Sequence, residues 1–312
     1  MDKFVTAGVW ITRRCNLRCP YCNIPKENFK ELKLKEWIEA INIIQKLGIK
    51  KIVLLGGEVT LHKNLVEIVD YILNKAKLEC SLTTNGFRNY EVIKKLIKKG
   101  LKNIAVSIDT LEINKSISPF KSKAALELIQ KLERGHLKEK INLRCYTVVN
   151  KKNITELEEF IKYLTKKEIK TYLIPYHWGN EGVFEHRKNL NEFAFTTNQD
   201  VKLYTQVLDR VISLKNKGYL IDNSEEYLQS TKKYIKKLNW KCKGLSELRI
   251  DSDGKLLCCC DKKGQVNQNF SIFDLNKENK IKEFLEMRAK DSNHCKGCLW
   301  PSSFESERIK RA

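Results

Sequence analysis

The sequence has no apolar run approaching the ~18–20 residues of a membrane-spanning helix. Its opening, MDKFVTAGVW, lacks the long apolar segment and cleavage site of an export signal. The expectation is a cytoplasmic protein with no membrane partner. No internal repeat or low-complexity tract is visible, and no stretch interleaves basic with aromatic residues as a single-strand binding platform does. Acidic residues are in short supply, with Asp+Glu 38 against Lys+Arg 59 and a formal net charge of +21. Such a field could draw in nucleic acid, phosphorylated substrates or an acidic peptide. Arg, however, contributes only 12 of those cations, and the Lys residues lie scattered in pairs such as Lys94-Lys95 and Lys236-Lys237. Solvated helix faces account for that pattern, so nucleic acid is not an expected partner. What remains is a chain of 312 residues, 42% hydrophobic and 31% charged, with enough apolar material for a buried core. Eleven cysteines without an export signal point to metal binding or chemistry rather than disulfides.

A short strand is predicted over residues 4–12, followed by a cysteine-bearing loop. Apolar β-branched runs then alternate with amphipathic stretches. Strands are predicted at Lys51–Leu55, Glu79–Thr83, Lys102–Ile108, Ile141–Val149 and Lys170–Tyr176. Helices are predicted at Lys35–Leu47, Leu65–Lys77, Glu91–Lys99, Lys121–Arg134 and Ile154–Lys166. Six strands alternating with helices imply parallel βαβ units and an open, partial (β/α)6 TIM-like barrel, with chemistry at the C-terminal strand ends. Two further helices are predicted near Asp200–Lys217 and Ser224–Leu238. A distinct α+β module follows from Trp240, with six of the eleven cysteines and a hairpin signal, LSELRI and KLLCCC about the turn DSDG. The predicted division is 1–185 core, 186–239 helical linker and 240–312 C-terminal module.

The most specific motif is CNLRCPYC, which sets Cys15, Cys19 and Cys22 in a CxxxCxxC triplet after the first strand. Three thiolates on one loop suit three irons of a cubane cluster and leave the fourth iron open. A zinc loop would take further ligands, and none lies nearby in sequence. With Tyr21 just before Cys22, the triplet resembles the radical S-adenosylmethionine superfamily. The resemblance continues in order through GGEVTL at Gly56, Gly57 and Glu58, TTNG at Thr83–Gly86 with Asn85, and VSID with Ser107 and Asp109. It covers residues 5 to about 178. The resemblance implies that Glu58 binds the amino group of the cofactor's methionine moiety, that Tyr21 lies against the adenine, and that Ser107 and Asp109 contact ribose and carboxylate. Open main chain at Gly56-Gly57 would allow close approach of the cofactor. Two departures stand out. Val59 replaces the usual Pro, and the Arg that often grips the methionyl carboxylate is missing, leaving Lys121 or Arg144 as candidates.

In the C-terminal module, Cys242, the string Cys258-Cys259-Cys260 and the pair Cys295 and Cys298 resemble the twitch form of the SPASM extension. That resemblance implies a second, auxiliary 4Fe–4S cluster on Cys242, Cys259, Cys295 and Cys298, with Cys260 in reserve. Strand alternation puts Cys258 and Cys260 opposite Cys259. A four-cysteine zinc ribbon is the competing reading.

The implied chemistry is reductive cleavage of S-adenosylmethionine to a 5′-deoxyadenosyl radical, which takes a hydrogen atom from substrate. The electron donor would be a flavodoxin or ferredoxin. The leading expectation is oxidation or epimerisation of a sugar or other small molecule. Maturation of a ribosomally made peptide is the alternative, and a non-catalytic iron–sulfur carrier or zinc scaffold is the alternative of another class. Cys145 is a candidate hydrogen-atom donor and core packing its competitor. His177, at the barrel mouth, is a candidate substrate ligand or general base.

Overall fold

The computed structural model describes residues 4–22, 24, 29–112, 119–178, 190–242, 247–259, 270–293, 295 and 297–311. Five βα units and a sixth strand open the chain: β1 (Thr6–Thr12), α1 (Leu34–Lys46), β2 (Lys51–Gly56), α2 (Leu65–Asp70), β3 (Glu79–Thr84), α3 (Tyr90–Lys98), β4 (Asn103–Ser107), α4 (Pro119–Arg134), β5 (Asn142–Val149), α5 (Leu157–Lys166) and β6 (Lys170–Pro175). Helix α2 continues through a π-helical turn at Tyr71–Lys75, so the expected helix to Lys77 is present with a changed pitch. A short α6 (Leu190–Phe193), α7 (Asn198–Asn216) and α8 (Glu225–Tyr234) follow, then β7 (Glu247–Ile250), β8 (Leu256–Leu257), α9 (Glu278–Asn293) and α10 (Pro301–Arg311).

All the strands lie in one sheet, in the order β6-β5-β4-β3-β2-β1-β7-β8. Strands β1 to β6 pair in parallel, as helical βαβ crossovers require. The open partial barrel is therefore the observed architecture. The hairpin of the C-terminal module is also present, with Arg249 opposite Leu257 and Ile250 opposite Leu256. Its place differs from that of a free-standing unit. Strand β7 runs parallel to β1, pairing Thr6 with Glu247 and Val9 with Ile250, and so extends the core sheet.

Pleating sorts the strand residues onto two faces. The outer face carries Ile52, Leu54, Cys80, Leu82, Ile104, Val106, Leu143, Cys145 and Leu173, all buried against the helix layer. Helix α1 supplies Trp37, Ile41 and Ile44 to that layer. Full burial of each such side chain stabilises by roughly 1.5–3 kcal/mol. The inner face carries Ser81, Thr83, Ser107, Arg144, Tyr146, Val148, Tyr172 and Ile174, all only half-buried. Polar groups are thus placed on the concave face, where they meet whatever the barrel holds.

Candidate active site

Strand β1 delivers the chain to the cysteine loop, where the Cys22 N–H donates to the Cys19 carbonyl at 3.0 Å. The Cys15 sulfur accepts the Leu17 N–H at 3.4 Å and the Asn85 amide at 3.8 Å. Asn85 is fixed in turn by its bond to Asn16 Oδ1. Burial pushes the thiols of Cys15 and Cys22 up, that of Cys22 to about 11, and each feels the charge of Cys19. Thiols crowded out of water in this way favour a cationic partner, which deprotonates them. Among the described residues, no three His, Cys, Asp or Glu side chains converge as tightly as a single ion requires. Three thiolates on one loop can each take one iron of a cubane, so the chemistry of the donors fits an iron–sulfur cluster.

Gly56 and Gly57 also have a packing role. A Cβ on Gly57 would lie 2.1 Å from the Arg14 carbonyl oxygen, and one on Gly56 would lie 2.6 Å from that of Thr12. The end of β2 is pressed against the main chain that leads into Cys15, with the Gly57 and Glu58 N–H groups donating to Thr12 and Arg14 carbonyls. Glu58 is 1% exposed. Its Oε1 accepts from Thr60 Oγ1 at 2.7 Å, Thr84 Oγ1 at 2.8 Å and the Thr60 N–H at 3.2 Å, while Oε2 accepts from the Asn85 N–H at 2.7 Å. Desolvation raises its pKa and these donors oppose the rise. Glu58 therefore knits the end of β2 to the end of β3, and Oε2 is its less engaged oxygen.

At the end of β4, Asp109 and Lys121 form a buried ion pair, 2% and 5% exposed. Lys121 Nζ donates to both Asp109 oxygens at 2.9 and 3.0 Å and to the Tyr21 hydroxyl at 2.6 Å. The Tyr21 hydroxyl donates to Asp109 at 3.2 Å, and the Val148 N–H adds a bond at 3.0 Å. Lys121, a candidate for the missing Arg, is thus paired with Asp109 at the cofactor end of the sheet. Arg144 departs from expectation. It pairs with Asp222 at 3.1 Å, four residues below Val148 on β5. At ~3.3 Å per residue that is roughly 13 Å below Asp109, beyond what one side chain spans. Ser107 lies on the inner face at the end of β4, opposite Tyr146.

Cys145 is fully buried among the helix-facing core residues, and burial pushes its thiol up. Its neighbours Arg144 and Tyr146 point to the opposite face, so Cys145 has the packing of a core residue and not of a donor to the barrel interior. Cys80 is likewise buried, its thiol raised to about 12. His177 is buried as well. Its Nε2 accepts the Leu299 N–H at 3.2 Å and its ring meets Trp300 edge-on at 5.1 Å. The base nitrogen is therefore spent on the chain just after Cys298.

The C-terminal cysteines gather around β7. The Cys298 N–H donates to the Trp240 carbonyl at 2.8 Å, and the Gly297 N–H donates to Cys295 Sγ at 3.4 Å. Gly297 has φ 106°, and a Cβ there would meet Asn239 and Trp240 backbone at 2.5 and 2.7 Å. Burial, then the charges of Cys259, Glu307 and Cys295, raise Cys242 to about 11. Cys242, Cys259 and Cys295 thus lie within electrostatic reach of one another. Cys260 lies outside the described residues.

Several residues around β7 were not singled out from the sequence. Glu247 Oε2 accepts from Arg249 Nη2 at 2.7 Å and Nε at 3.0 Å, and its other oxygen lies over Gly8 of β1. Arg249 Nη1 reaches Cys259 Sγ at 3.9 Å. Arg288 donates to the carbonyls of Glu247 and Cys258, and burial lowers it to about 10. The available signal was the pair of charges at alternate positions of the short strand ELRI, which an edge strand facing solvent on one side would also show.

The family model described as the Radical SAM superfamily matches residues 9–164. A GTP 3',8-cyclase of Aquifex aeolicus is 27% identical over 295 residues, covering 89% of this chain and 88% of that protein. An uncharacterized protein of Methanocaldococcus jannaschii is 34% identical over 168 residues, 52% of this chain and 58% of that protein. Among solved structures, Streptococcus suis SuiB bound to S-adenosylmethionine superposes with a TM-score of 0.67 at 15% identity, over 91% of this chain and 66% of that one. Native anSMEcpe with bound AdoMet gives a TM-score of 0.63 at 18% identity, over 94% and 88%. These likenesses place the fold.

Proposed function

We propose, from the premise that this chain belongs to the Radical SAM superfamily, that its substrate is a small hydroxylated molecule, a sugar or aminocyclitol, which it oxidises or epimerises. The chemistry of the family is cleavage of S-adenosylmethionine with a 4Fe–4S cluster, and this chain is an enzyme of that kind. When bound, these groups supply hydrogen-atom abstraction after reductive cleavage of the cofactor.

The residues of the chain divide the remaining work. Cys15, Cys19 and Cys22 hold the cluster, with the Leu17 N–H and the Asn85 amide orienting the Cys15 sulfur. Glu58 keeps the ends of β2 and β3 together and offers Oε2 to an ammonium group. Asp109, Lys121 and Tyr21 form a charge-balanced wall at the end of β4. Cys242, Cys259, Cys295 and Cys298, in the module over 240–312, are the ligands of an auxiliary cluster, which a reductant of flavodoxin or ferredoxin type would serve together with the first.

One observation carries the choice of substrate: among the described residues, the arginines of the inner face are paired with carboxylates. Arg144 meets Asp222, and Arg249 meets Glu247, beside the rings of Tyr146 and Tyr172, tilted at 39° with centroids 5.0 Å apart. A surface of paired charges and phenols hydrogen-bonds to hydroxyl and amino groups and gives little net attraction to a polyanion. A second reading is cyclisation of a purine nucleoside triphosphate, supported by the 27% identity to the GTP 3',8-cyclase over most of both chains.

The test is anaerobic turnover with S-adenosylmethionine, reductant and deuterated sugars, aminocyclitols or GTP. Stimulated 5′-deoxyadenosine carrying deuterium from a sugar or aminocyclitol supports the first reading. Deuterium transfer from GTP alone, with a cyclised nucleotide, overturns it. Iron analysis should find about eight irons, and about four in a Cys15→Ala, Cys19→Ala, Cys22→Ala variant. Zinc in place of iron in that variant sinks the auxiliary-cluster assignment.

A further inference from the structure

Beside the auxiliary cysteines lie two buried guanidiniums. Arg249, 4% exposed, sits on β7 with one nitrogen 3.9 Å from Cys259 Sγ, two on Glu247 Oε2 and one of these also 3.3 Å from Ser303 Oγ. Arg288, 2% exposed, holds the carbonyls of Glu247 and Cys258 while its guanidinium stacks near the rings of Phe4 and Phe284. The Glu247 carboxylate in turn lies over Gly8, on the face that would meet substrate.

We infer that Arg249 is a positioning residue for the auxiliary site, donating to the Cys259 thiolate and, with Glu247 as its counter-charge, raising the reduction potential of a cluster bound there. This rests on the reading of Cys242, Cys259, Cys295 and Cys298 as ligands. The physics is direct. Hydrogen bonds to cluster sulfurs and nearby positive charge favour the reduced, more negative state. In a buried site that effect is weakly screened. Glu247 opposes it, so the two residues act with opposite sign. Among the described residues, the contact supports Cys259 as the ligand drawn from the string.

The Cys15→Ala, Cys19→Ala, Cys22→Ala protein isolates the auxiliary site. Its iron content is measured first, then its midpoint potential by a redox titration followed by electron paramagnetic resonance. Arg249→Gln should lower the potential, Arg249→Lys should lower it less, and Glu247→Gln should raise it. A merely structural role moves stability without these opposite signs. Should Arg249→Gln fail to fold, Arg249→Lys and Glu247→Gln decide the matter. Potentials equal to that of the parent, at full iron content, overturn the role of Arg249 and leave the ligand assignment standing. A parent that holds no iron overturns the ligand assignment and the inference with it.

Discussion

Arg13 closes a two-bonded fork on Asp251, with Nε to Oδ1 at 2.7 Å and Nη2 to Oδ2 at 2.5 Å, across 238 residues of chain. Arg13 stands two residues before the first cluster cysteine, and Asp251 opens the turn of the C-terminal hairpin. The two cysteine sets are therefore tied by one ion pair in addition to the β1–β7 ladder. Arg13 is nearly buried and Asp251 is about three-quarters so.

Arg13→Ala should cost about 2 kcal/mol, the scale of hydrogen bonds to charged groups. Arg13→Lys should recover only part, because an ammonium cannot reproduce the fork. Thermal unfolding of the cluster-loaded protein checks both. Equal Tm values for Arg13→Ala and the parent would show that the ladder alone holds the hairpin.

Gly57→Ala should displace the cysteine loop. The added carbon would meet main-chain atoms of Arg14 at 2.1 and 2.6 Å, and backbone cannot swing aside as a side chain can. The expected result is loss of iron from the first site while about four irons remain at the second. Full iron retention at both sites would show that the loop shifts at no cost.

Cys145→Ala should leave turnover and the stereochemical outcome unchanged and cost about 1 kcal/mol through the small cavity it opens. The outer-face placement of Cys145 carries this expectation. Product oxidised or trapped without epimerisation, at undiminished 5′-deoxyadenosine formation, would return Cys145 to the role of hydrogen-atom donor.

His62 gives a pH dependence. Burial lowers its pKa from the ordinary 6.5, and its Nδ1 accepts the Asn64 N–H at 3.3 Å. A histidine held neutral in the folded state leaves the unfolded chain binding more protons in the window between the lowered value and 6.5. Its stabilisation is full above 6.5 and is lost as the pH falls through that window. His62→Gln should flatten the fall of Tm between neutral and mildly acidic pH. An unchanged slope would remove His62 as the cause.

Much of the fold was legible in the sequence because its signals are local. The six strands and their helices follow from β-branched runs and amphipathic periods, each recorded in a few adjacent residues. The cysteine triplet, GGEVTL, TTNG and VSID are also contiguous, and the ends of parallel strands gather in one place whatever the loops between them do. The chemistry class was therefore decided by the sequence by itself. Side-chain commitments were not. Lys121 carried the right charge for a carboxylate grip, and its partners Asp109 and Tyr21 come from other elements. Arg144 was on the right strand, and only its depth and its pairing with Asp222 remove it from the cofactor end. His177 was at the barrel mouth, but its nitrogen serves the Leu299 N–H. The joining of β7 to β1, the Arg13–Asp251 fork and the reach of Arg249 to Cys259 connect segments far apart in the chain. Local propensity carries no record of such pairings, because a strand or a charge specifies what it needs and not which distant segment supplies it. Only the tertiary structure decided those partners.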